Sequence, residues 1–72
     1  MFRKVDEELS FFSNRGYSVI RDNTHTNVRS GLMHNEKTGF VSIIQATIVN
    51  EDEQLNSVIL NSVELGFLKE LP

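Results

Sequence analysis

The chain has no cysteine, which excludes disulfides, thiolate metal sites and a cysteine nucleophile. Two histidines, His25 and His34, are too few for a histidine zinc site without carboxylate help. No proline interrupts the interior; the single one is Pro72. No apolar run approaches the ~20 residues that a membrane-spanning helix needs. The charged residues 3–8 do not read as a signal peptide, so the expectation is a soluble cytoplasmic protein with no membrane partner. Basic residues are also scarce: seven Lys and Arg stand against ten Asp and Glu, a net charge of −3. A polyanion binder this small carries a basic excess, which disfavours nonspecific nucleic-acid or anionic-membrane binding. The acidic surplus is in turn too mild for a DNA mimic.

Seventy-two residues make one small domain, 1–72. A chain of this length buries only roughly 60% of its unfolded surface and is marginal without a staple, a metal or a partner. With disulfides excluded, a good core or a second subunit must supply the difference, and a second subunit is the expectation.

Residues 39–50, GFVSIIQATIVN, are the most informative stretch. In an extended strand Phe40, Ile44, Ala46 and Ile48 fall on one side, and Val41, Ile43 and Val49 on the other. A strand apolar on both sides is a central strand covered on both sides. Before it, Phe2, Val5, Leu9 and Phe12 recur at helical spacing, and Arg15 and Gly16 supply a C-terminal charge and a stop. A helix over about residues 2–14 follows. Residues 17–22 read as a strand, 23–27 as a polar loop, 28–34 as a strand weakened by Gly31, and 35–39 as a tight hairpin connection. That hairpin predicts Leu32 opposite Ile43 and Met33 opposite Ser42. Asn50 followed by Glu53 resembles a capping box, with Leu55, Val58, Ile59, Ser62, Val63 and Gly66 as the stripe of a second helix. The predicted class is therefore α+β: a three-stranded antiparallel β-meander flanked by N- and C-terminal helices, in the order α-β-β-β-α.

Chemistry-bearing groups are few. Glu51, Asp52 and Glu53 are explained by a helix cap rather than by a carboxylate pair. No serine sits in a nucleophile elbow and the four glycines are too scattered to cradle a phosphate. The expectation is no catalytic residue, no cofactor, no metal and no enzyme. Exposed apolar residues are more telling. Phe11 lies roughly 100° around the helix from Phe12, off the core stripe, and Phe67, Leu68 and Leu71 continue past the second helix. These four are the expected contacts of a non-catalytic protein–protein interaction module, a homodimeric accessory factor that regulates or inhibits a larger protein. Alanine at Phe67 and Leu71 should weaken self-association or capture without changing the fold. The alternative is a small nucleic-acid-binding regulator using Arg15, Arg21, His25 and Arg29 around the polar segment 21–29. It requires the basic groups to be segregated from the acids. Turn residues alone account for most of that segment's composition.

Overall fold

A computed structural model of the chain describes residues 1–61. One helix, α1 (Arg3–Ser13), precedes four strands: β1 (Ser18–His25), β2 (Val28–His34), β3 (Phe40–Val49) and β4 (Asp52–Asn61). The strands form a single antiparallel sheet in the order β1-β2-β3-β4, and α1 lies across one of its faces. The α+β class is as expected, but the sheet has four strands.

The α1 stripe does what its spacing implies. Val5 and Phe12 are buried against Met33, Ile44 and Ala46, with Phe2, Leu9, Tyr17 and Leu55 packed around them. Gly31 lies under the helix, where a Cβ would sit in ordinary contact, 3.5 Å from a Leu9 methyl. The helix ends in a Schellman arrangement. The Tyr17 N–H donates to Phe12 O at 3.1 Å and the Gly16 N–H to Ser13 O at 3.2 Å. Gly16 takes the left-handed conformation, φ 93°, and the Tyr17 ring closes on Phe12 at 5.1 Å between centroids.

β2 occupies the expected residues, and Leu32 opposes Ile43 while Met33 opposes Ser42. Asn35 builds the turn after it. Its side-chain oxygen accepts from the Lys37 and Thr38 amides at 3.0 and 3.2 Å, and its NH2 donates to Arg15 O at 3.1 Å. That buried amide thus bolts the β2–β3 turn to the end of α1.

Two expectations are corrected. Residues 23–25 are not loop: Asn23, Thr24 and His25 pair with Ser30, Arg29 and Val28 and extend β1, leaving only Thr26 and Asn27 to turn. Ladder hydrogen bonds there satisfy the backbone better than local side-chain bonds can. More consequentially, residues 50–61 do not begin a second helix. Asn50 and Glu51, at φ 51° and 65°, form a two-residue turn of the kind that closes hairpins, and β4 pairs with β3 without a break from Val49–Asp52 to Phe40–Asn61. The apolar positions that seemed to form one helical stripe divide between two sheet faces, Leu55 and Ile59 on one and Val58 on the other. The remainder of the expected second helix, with Phe67, Leu68 and Leu71, lies outside the described residues.

Candidate interaction surface

The sheet's two faces differ in what they present. On the helix side, two polar devices tie α1 down. The first is Glu53. Phe2, the residue before α1, provides no side-chain cap, so the first amides of the helix need an acceptor from elsewhere. The buried Glu53 carboxylate supplies it, accepting from the Lys4 N–H at 2.7 Å and the Val5 N–H at 2.9 Å. Lys4 Nζ returns a bond to Glu53 O at 3.0 Å. A β-strand thereby caps a helix that lies 49 residues earlier in the chain. An opening of about 300 Å³ adjoins this point, lined by Met1, Arg3, Lys4, Glu51, Asp52 and Glu53. The Lys4 and Val5 amides, which an anion at this helix end would use, are already taken by Glu53.

The second device is Arg29. Its guanidinium grips Asp22 with two parallel bonds, Nε to Oδ1 at 3.0 Å and Nη2 to Oδ2 at 2.8 Å, and its Nη1 donates to Asp6 Oδ1 at 2.9 Å. One arginine so joins β1, β2 and α1. The hydrogen bonds from Arg29 hold the Asp22 carboxyl below its usual value against a smaller desolvation effect, and its charge adds to the lowering. The same bonds raise the Arg29 pKa, with Asp22 the larger cause and Asp6 the lesser.

The opposite face carries no described helix. Val28 and Leu32 of β2, Val41, Ile43 and Val49 of β3, and Val58 and Leu60 of β4 alternate onto it. Val41 is fully buried at one end of the face, whereas Leu32 and Ile43 are half-buried and Val58 is 46% exposed. Two shallow depressions adjoin at Ile43. One of about 240 Å³ is lined by Arg21, Asn23, Ser30, Gly31 and Leu32 with Ile43. The other, of about 130 Å³, runs between Ile43, Gln45, Asn56 and Val58. The result is an apolar strip with a polar border, carried by three neighbouring strands of the sheet.

The expected site residues are scattered by this arrangement. Phe11 is exposed and off the core, as its spacing implies, but Arg15 stacks over its ring at 3.5 Å and donates to its carbonyl at 3.0 Å. Arg29 is spent on two carboxylates on the helix side. Arg21 borders the opposite face, and His25 ends β1 beside the hairpin turn. Arg15, Arg21, His25 and Arg29 therefore form no continuous basic edge. His25 and His34 sit at opposite ends of β2. Among the described residues no helix is long and apolar enough to cross a membrane. The sequence places Leu32 opposite Ile43, and the two-sided apolar pattern of β3 signals that its second face needs covering, but Val58, assigned to a helix, was missed as their neighbour.

The chain matches no known protein-family model, no curated protein and no solved structure.

Proposed function

We propose that this chain is a non-catalytic protein–protein interaction module, an accessory factor that acts as a homodimer on a larger protein and regulates or inhibits it. The observation that carries this reading is the strip Leu32–Ile43–Val58: half-exposed aliphatic side chains with a polar rim of Arg21, Asn23, Ser30, Gln45 and Asn56. An apolar centre with a polar border is the anatomy of a protein interface, and a surface held by backbone ladders loses little entropy on binding. The dispersal of the arginines gives nucleic acid no comparable footprint.

The test is capture from a lysate by the immobilised chain, set beside two variants of the strip, Leu32→Lys and Ile43→Thr. Both must first show the parent's circular dichroism and unfolding cooperativity. A protein retained by the parent, absent from both variants and resistant to raised salt supports the reading. Equal retention by all three, or retention only of nucleic acid that is lost as salt rises, refutes it.

A further inference from the structure

We infer that β4 is the dimerisation edge: two copies pair antiparallel along β4 to make one continuous eight-stranded sheet. This rests on the homodimer half of the reading above and not on the partner-binding strip. The evidence is an asymmetry between the two edges that the described residues give the sheet. Exposed strand edges are templates for further pairing, and proteins blunt those they leave free with bulges, charges, lysine or proline. β1 is blunted. Its register with β2 slips between Val19 and Arg21, and Arg21 and Asp22 stand at mid-strand. β4 has no bulge, no lysine and no proline, and no charge beyond its first two positions. It runs ten residues in unbroken register with β3, and no lysine, arginine, proline or glycine occurs in DEQLNSVILN. Its two charges are at its first two positions, and Glu53 is turned inward onto α1.

The backbone fits the same conclusion. A two-residue turn at Asn50 and Glu51 makes Val49–Asp52 a hydrogen-bonded pair, after which bonded and non-bonded pairs alternate. Leu55, Ser57 and Ile59 are then the residues whose N–H and C=O point away from β3. The Glu53 carbonyl belongs to the same set, and Lys4 Nζ reaches it from outside the sheet. β4 is also apolar on both faces along this length, with Val58 46% and Ile59 50% exposed. An edge strand with half-exposed β-branched side chains above and below is what a neighbouring strand covers.

A second copy fits better than a foreign strand because the segment is self-complementary. Antiparallel pairing centred on Ser57 places Leu55 across from Ile59 of the second copy and keeps Glu53 away from its own twin. The twofold axis of such a pairing stands perpendicular to the sheet. Both α1 helices then lie on one side, and both Leu32–Ile43–Val58 strips merge on the other.

The test uses the whole chain. Light scattering across a concentration series should give twice the 8.2 kDa chain mass, and Ile59→Lys should return it to a single chain. Val19→Lys on the opposite edge should leave it dimeric. Because the chain has no cysteine, Ser57→Cys introduces a unique thiol. A short bis-maleimide should link two Ser57→Cys copies covalently and should not link two Val19→Cys copies. This second readout stands even if Ile59→Lys misfolds. A parent that stays monomeric to millimolar concentration overturns the inference, as does a dimer that fails to cross-link at Ser57→Cys. A monomer whose Leu32 strip still retains a partner would sink the edge pairing alone; a dimer that retains nothing would sink the partner reading alone.

Discussion

Replacing Glu53 with alanine removes the only side-chain acceptor that the described residues offer to the first amides of α1. The bonds are short, at 2.7 and 2.9 Å, and are made by a carboxylate that is only 8% exposed. Losing an ordinary helix cap costs roughly 0.5–2 kcal/mol, and hydrogen bonds to a charged group run to about 1.5–3 kcal/mol. The helix dipole adds roughly 0.3–1 kcal/mol for a negative group at this end. Water can reach the Lys4 amide once the carboxylate is gone, whereas the Val5 amide is buried and stays unpaired, so the two bonds do not count fully. A loss of about 2–4 kcal/mol follows for Glu53→Ala. Glu53→Gln keeps one acceptor oxygen but turns an NH2 toward the other donor, and should lose about 1–2 kcal/mol. Against the roughly 4–11 kcal/mol expected of a chain this size, the alanine variant should lose a large part of its stability. Urea denaturation followed by circular dichroism reads this as a lower midpoint at an unchanged slope. If Glu53→Ala costs less than about 0.5 kcal/mol, near the smallest cap effects measured, then β4 does not cap α1 and the reasoning fails.

Three further outcomes follow from the polar contacts. The Asp22 carboxyl titrates below its usual value when folded, so Asp22 contributes stability that is complete above pH ~4. That contribution is lost as pH falls through the lowered folded value; Asp22→Asn should flatten this acid limb of the stability–pH curve, and an unchanged limb would contradict the assignment. Asn35→Ala should cost about 2 kcal/mol, because its amide serves two turn N–H groups and the Arg15 carbonyl at once. Amide exchange should then speed up at Lys37 and Thr38 before any other turn. The buried Ser42 hydroxyl finds no hydrogen-bond partner among the described residues, so Ser42→Ala should leave stability unchanged or raise it by up to about 1 kcal/mol in thermal melts; a clear loss would mean that the hydroxyl has a partner after all.

How far the sequence could be read depended on whether its pattern admitted one period or two. Phe2, Val5, Leu9 and Phe12 fit only a helix, and the glycine after Arg15 fits only its end, so α1 was plain. The β2–β3 register followed from the length of the 35–39 connection together with the need to keep Met33 and Ile44 on one face. β4 was ambiguous because Leu55, Val58 and Ile59 stand three and one residues apart, which a helix gathers into one stripe and a strand divides between two faces. Asn50 serves equally well as an N-cap and as a left-handed turn residue, and nothing about Glu51 announces a positive φ. The decisive hint lay elsewhere. β3 is apolar on both sides and reads as central, yet a three-stranded meander would leave it at an edge. Only a fourth strand after it removes that conflict. Glu53 was read as a helix cap and is one, but for α1; a contact spanning 49 residues has no local signature. The surface strip was half legible: the hairpin register sets Leu32 beside Ile43, but Val58 joins them only through the β3–β4 register, which the helical reading of 50–61 hid.

The central claim is that the face of the sheet opposite α1 is where this protein meets its partner. Its most direct test is the amide spectrum of isotopically labelled chain, recorded while the protein retained in the capture experiment is added. The account predicts shifts concentrated at residues 30–32, 43–45 and 56–58, with the outer side of α1 unmoved. Shifts that gather instead around Phe11 and Arg15 on α1, with Leu32, Ile43 and Val58 unchanged, would contradict it.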